Sequence, residues 1–173
     1  MNRDPFDDVV FDAEEVETRP DSRAIEETLL VGLLDPTVAV RILEKTTAKD
    51  YEFDKHRELA ALLYPMASEG RHIDEVTFRA ALAAQEGEAT VESIFNGTDP
   101  VGEKGEKTKS RWLYDLALEV MTTAADKPPA TGQVLAYLDI FAAQADRRRA
   151  KHLVEKAAKA PDEGKKTPQA AVS

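Results

Sequence analysis

"AIEETLLVGLLDP" (residues 24–36) decides the fold. Ile25, Leu29 and Leu33 recur every four residues with Leu30 and Leu34 beside them, the spacing of one apolar helix face. Asp21 or Ser22 offers a side-chain oxygen to the first free amides and caps this helix. Asp35-Pro36 then stops it and starts a second, because the fixed φ and missing donor of proline suit a first helical turn. Val38, Ile42 and Leu43 face inward from that second helix. A chain that opens this way builds its core from helix stripes.

The same pattern continues outward. "TTAKDYEF" (46–53) reads as a turn that drops Tyr51 and Phe53 onto the core. Asp54 caps a third helix, with Leu59, Leu62, Leu63 and Met66 as its stripe and Gly70 as its stop. Pro65 lies inside that stripe, where its missing amide and its ring predict a kink. Asp74 caps a fourth helix over 75–84 that buries Val76, Phe78 and Leu82, and 88–96 forms a short fifth with Val91, Ile94 and Phe95 apolar. "NGTDPVGEKGEKT" (96–108) is a loop. Two longer helices follow, at 109–124 and 131–159, joined across "DKPPA" (126–130) as an antiparallel hairpin.

The fold expected is therefore all-α, a small multi-helix head followed by a long antiparallel helical hairpin. Its divisions are a disordered acidic arm at 1–20, the head at 21–97, a flexible loop at 98–108, the hairpin at 109–160 and a disordered tail at 161–173. Residues 1–21 hold eight acids against Arg3 and Arg19, too dense a charge for a core. Within the arm, "FDDVVF" (6–11) is an isolated apolar patch.

Composition narrows the chemistry. The chain has no cysteine, which removes disulfides, thiolate metal sites and cysteine nucleophiles together and fits a reducing cytosol. No apolar run approaches the roughly 18 residues of a membrane span, and no basic-then-apolar leader opens the chain. A soluble, cytoplasmic protein is expected. The formal net charge of −10 opposes tight nucleic-acid binding, which depends on phosphate neutralisation by a basic face.

Motif by motif, catalysis finds little to stand on. "GTDPVGEK" (97–104) puts Glu103 where a phosphate-binding loop needs its lysine, and "EGKKT" (163–167) lacks the first glycine of that motif. His56, His72 and His152 are scattered, with no HxxxH or HExxH spacing for a metal. No G-x-S-x-G elbow occurs. We expect no catalytic, cofactor-binding or metal-binding residues, and His56 and His72 are read as positioned by packing and capping. An unrelated helical DNA-binding protein is a reading from another class, which the charge disfavours.

The last helix asks for a partner. A helix over 131–159 extends about 40 Å at 1.5 Å per residue, longer than the head it leaves. Val134, Leu138, Phe141 and Ala145 recur at coiled-coil spacing, and Trp112 and Leu116 face them from the preceding helix. These six residues are the expected self-association seam, making a homodimer or higher oligomer. Arg147, Arg148 and Arg149 flank it, read first as a solvated face, second as contacts to an acidic partner or to the chain's own acidic arm, and third as a DNA contact, since three successive residues fan around a helix.

In order and spacing, "AIEETLLVGLLDP" (24–36), "DYEFDKHRELAALLY" (50–64), "EGRHIDEVTF" (69–78) and "VLAYLDIFAAQADRRRAKHLVEKAA" (134–158) resemble the N-terminal domain of DnaB-type replicative helicases, from about Asp21 to Ala160. That resemblance implies a head-plus-hairpin module that pairs through its hairpin and docks replicative helicase or primase. The helicase-binding C-terminal domain of primase, of related fold, is the alternative. Ser173 arrives before any ATPase domain, so a helicase fragment or a stand-alone phage or plasmid paralogue is expected. The acidic arm and Pro65 depart from the family pattern.

Overall fold

Asp21 caps the first helix, its carboxylate accepting from the Ala24 amide at 2.7 Å. From this point the computed structural model describes residues 21–172, with side chains through Lys159. The expected acidic arm lies outside the described residues. Seven α-helices follow in order: α1 (Ser22–Gly32), α2 (Pro36–Lys45), α3 (Asp54–Ser68), α4 (Glu75–Glu86), α5 (Glu88–Asn96), α6 (Lys109–Asp126) and α7 (Thr131–Val172). A 3₁₀ turn, Ala48–Asp50, links α2 to α3. The fold is all-α; the single extended pairing among the described residues is an isolated bridge between Val101 and Lys107.

The caps follow side-chain chemistry. Asp35 accepts from the Thr37 amide at 3.0 Å with Pro36 in the first turn of α2, and Asp74 and Thr77 form a reciprocal capping box at the start of α4. Thr108 caps α6 through the Arg111 amide at 3.2 Å. Gly70 has a φ of 72° and closes α3, with the Arg71 amide returning to the Met66 carbonyl at 3.1 Å. Phe53, not Asp54, takes the N-cap position of α3, and Asp54 is its first residue, paired with Arg57. The α3 assignment runs unbroken through Pro65 to Ser68.

Helix α1 is the centre of the packing. Ile25, Leu29 and Leu30 are fully buried, and α1 is lined by α2, α3, α6 and α7. Gly32 permits a close approach of α2 and α7 to α1. A Cβ there would stand 2.9 Å from Ile42 Cδ1 and 3.0 Å from Val134 Cγ1, so a side chain would force Ile42 and Val134 to shift.

Two inward assignments need correction. Val76 is 75% exposed, because Phe78 and Leu82 set the buried face of α4 and Val76 falls about 200° around the helix from Phe78. Phe53 is 39% exposed, since only Tyr51 of the aromatic pair turns inward, against Phe141 with ring centroids 4.9 Å apart.

The larger correction concerns the hairpin. Helices α6 and α7 are joined by a short connection, yet each packs chiefly on α1 and its neighbours and hardly on the other. Val134, Leu138 and Phe141 belong to the same buried core as Ile25, Leu29 and Leu113, so head and hairpin share one interior. The helix also continues to Val172, past the expected boundary at 160 and into the segment read as a disordered tail.

Phe141→Ala tests this packing. Truncating a buried aromatic should destabilise the chain by about 3–5 kcal/mol. Because the contact is intramolecular, the urea midpoints of wild type and variant should be independent of protein concentration; a midpoint that rises with concentration would place Phe141 between copies.

Candidate docking surface

The sequence raises two candidate regions, the histidine-rich stretch around His56 and the last helix with its arginines. His56 lies in the first turn of α3, facing α1. Its Nδ1 stands 2.9 Å from Glu26 Oε1, and the two side chains are 3% and 1% exposed. The same carboxylate accepts from the Glu52 amide at 2.7 Å and, more distantly, from the Phe53 amide at 3.4 Å. With backbone donors converging on it, the carboxylate is the acceptor, so Nδ1 of His56 carries the proton and donates. Burial closes this pair to any substrate. Its work is to tie the 52–53 turn and the start of α3 to α1.

His72 lies elsewhere, on the surface, 3.6 Å from the half-buried capping residue Asp74. The Thr77 amide bonded to Asp74 holds that carboxyl below its ordinary range. Groups of three or more metal-ligating side chains are absent among the described residues.

Beside the buried pair runs a chain of hydroxyls. Thr46 and Tyr64 oxygens are 2.7 Å apart, Tyr64 and Tyr51 are 3.1 Å apart, and the Thr46 hydroxyl donates to the Ile42 carbonyl at 2.7 Å. Burial pushes the Tyr64 hydroxyl up to about 12 and Tyr51 well above its ordinary value, with the Tyr64, Glu26 and Asp50 charges adding to the Tyr51 shift. These phenols stay neutral and serve as internal braces.

Of the expected seam residues, Val134, Leu138, Phe141 and Ala145 are each 1–2% exposed within a single chain. They are core, covered by the head, and offer no free surface for a second copy. Trp112 is half-buried with the Lys55 ammonium over its ring, 5.3 Å from the centroid. Leu116, also half-buried, borders a cleft of about 550 Å³ between α1, α6 and α7, where Ala24, Val31, Val120 and Tyr137 meet Glu27 and Glu119.

The three arginines separate. Arg148 donates to the Asp50 carbonyl at 2.5 Å and pairs with Glu52 at 3.1 Å; Arg149 pairs with Asp50 at 2.5 Å and Asp146 at 2.7 Å. Both are fasteners of α7 to the head. Arg147 points into solvent.

Beyond the arginines α7 leaves the head. Every residue from Ala150 to Lys159 is exposed, including Leu153 at 64% and Val154 at 68%. Ala150, Leu153, Val154 and Ala157 fall at i, i+3, i+4 and i+7, one narrow apolar stripe. At about 100° per residue it is turned away from the Phe141 seam, with Arg147 and Lys151 along one margin and Lys156 along the other. This exposed stripe is the candidate docking surface of the described residues. Its signal is the same helical spacing, displaced around the helix from the stripe that ends at Ala145.

The helical spacing places Glu26 with Leu29, Leu30 and Leu33 on the apolar face of α1, a signal the sequence carries for its burial. No family model, curated protein or solved structure matches the chain. No helix among the described residues is long and apolar enough to cross a membrane.

Removing the Glu26 carboxylate isolates the imidazole and the turn amides in the core. Glu26→Ala should cost about 3–5 kcal/mol by urea denaturation, and Glu26→Gln, which keeps one carbonyl acceptor, should cost less. Equal losses in both variants would mean the carboxylate is not the organising acceptor.

Proposed function

We propose that this chain is a non-catalytic docking module of the replisome, as its resemblance to the N-terminal domains of DnaB-type helicases implies, and that it takes a partner on the projecting part of α7. One observation carries the reading: a helix leaves the head with Leu153 and Val154 uncovered between basic margins. A ten-residue helical segment exposed all round has little stability of its own and gains it from a packed partner.

The chemistry of the stripe selects that partner. Arg147, Lys151 and Lys156 frame the apolar residues, and Glu155 is the one acid between 147 and 159. A second copy laid on this face brings like charges together. An amphipathic helix with acidic margins, presented by replicative helicase or by primase, complements it. The buried seam of α7 then holds the docking helix in place instead of mediating assembly.

Binding to purified replicative helicase and primase tests this, with wild type set beside a Leu153→Asp/Val154→Asp variant. Both positions are exposed, so the variant should keep its circular dichroism while its affinity falls about tenfold or more. Failure of wild type to bind either protein, undiminished binding by the variant, or salt-sensitive capture of duplex DNA in their place would overturn the proposal.

A further inference from the structure

The start of α1 and the base of the basic projection lie at one end of the described fold. Asp21 starts α1, and two residues on the Arg23 guanidinium lies 5.9 Å from the centre of the Phe53 ring. Next to Phe53, Glu52 receives Arg148 at 3.1 Å. The chain preceding Asp21 therefore enters the described fold beside the point where α7 departs from it.

The two segments match in both charge and apolar content. From Asp4 to Glu17 the arm carries seven acids and no base, around Phe6, Val9, Val10 and Phe11. From Arg147 to Lys159, α7 carries six arginines and lysines against Glu155, around Leu153 and Val154. Arg148 and Arg149 are engaged with Asp50 and Glu52, which leaves Arg147, Lys151, Lys156 and Lys159 as cations without a partner among the described residues.

Length permits the contact. The ten residues from Phe11 to Pro20 span up to about 33 Å when extended. Val154 is only about 9 Å of helix rise beyond Arg148.

We propose that the 4–17 segment docks in cis on the 147–159 face of α7, placing Val9, Val10 and Phe11 on Leu153 and Val154 and its acids against Arg147, Lys151 and Lys156. The contact regulates the docking face: an acidic partner helix must displace an acidic segment of the same chain. This consequence rests on the docking reading, whereas the contact itself is measured on the isolated protein.

Because the chain lacks cysteine, Ala158→Cys supplies a single attachment point for a nitroxide in the full-length protein. At low ionic strength, amide signals of residues 6–17 should lose at least half their intensity relative to the reduced label. They should recover in about 0.5 M salt, where exposed charges are screened. In a Lys151→Glu/Lys156→Glu background the loss should be absent. A mixture of isotope-labelled wild type with unlabelled spin-labelled protein should show no loss, as a cis contact requires.

Undiminished arm signals at low salt would overturn the inference, as would loss confined to the mixture, which would assign the contact to a second copy. If the arm signals fade as described and neither helicase nor primase binds, the contact stands and the functional reading falls. If a partner binds while the arm signals stay sharp, the reverse holds.

Discussion

The buried carboxylate of Glu26 organises the centre of this protein. It sits on the apolar face of α1 and draws to itself the Glu52 and Phe53 amides and the His56 imidazole. Hydrogen bonds to a charged acceptor contribute about 1.5–3 kcal/mol each, and an unpaired buried carboxylate would cost more than that. The turn is thereby held in one position. That position decides where α7 lies, because the same turn presents Tyr51 to Phe141, Asp50 to Arg149, and Glu52 with the Asp50 carbonyl to Arg148. A polar contact between α1 and a turn thus anchors a helix about a hundred residues further along the chain.

Helix α7 changes character along its length. Through Ala145 it is a core element, closed against α1 and α2, with Val134 packed over Gly32. At 148–149 it is clamped by ion pairs, and from Ala150 to Lys159 its side chains are exposed. This order of buried seam, clamp and exposed end fixes the point at which the helix leaves the head. In the proposed docking role, a partner packing on the exposed end extends a helix whose earlier turns the core already holds, which lowers the ordering cost of binding.

Much of the architecture was legible in the residues. The helical stripes of α1 to α3, the Asp21, Asp35 and Asp74 caps and the Gly70 stop all depend on neighbours within a few positions, and they lie where local chemistry places them. Apart from the shift of the α3 cap from Asp54 to Phe53 and the continuation of α7 to Val172, what failed depends on contacts distant in sequence. Val134, Leu138, Phe141 and Ala145 have the spacing of a coiled-coil seam, but periodicity cannot say whether the facing surface belongs to another copy or to the chain's own α1. Arg148 and Arg149 read as free charge because Asp50 and Glu52 are nearly a hundred residues away. Glu26 was hidden by its residue type, since an acid on an apolar stripe is ordinarily counted as a break in it. The candidate docking stripe was legible in principle at 150, 153, 154 and 157, yet its significance depends on knowing that the head stops short of it.

The central claim is that α1, the 50–53 turn and α7 through Ala145 form one cooperative unit, with the end of α7 outside it. Native-state hydrogen exchange of the wild-type chain tests this directly. Amides of Leu138 to Ala145 and the Glu26-bound amide of Glu52 should exchange only through global unfolding, with the same free energy and urea dependence as Leu29 and Leu30, while Leu153 to Lys159 exchange with little protection. If residues 134–145 instead open at a distinctly lower free energy than α1, the last helix is a separable arm and the single-core account is contradicted.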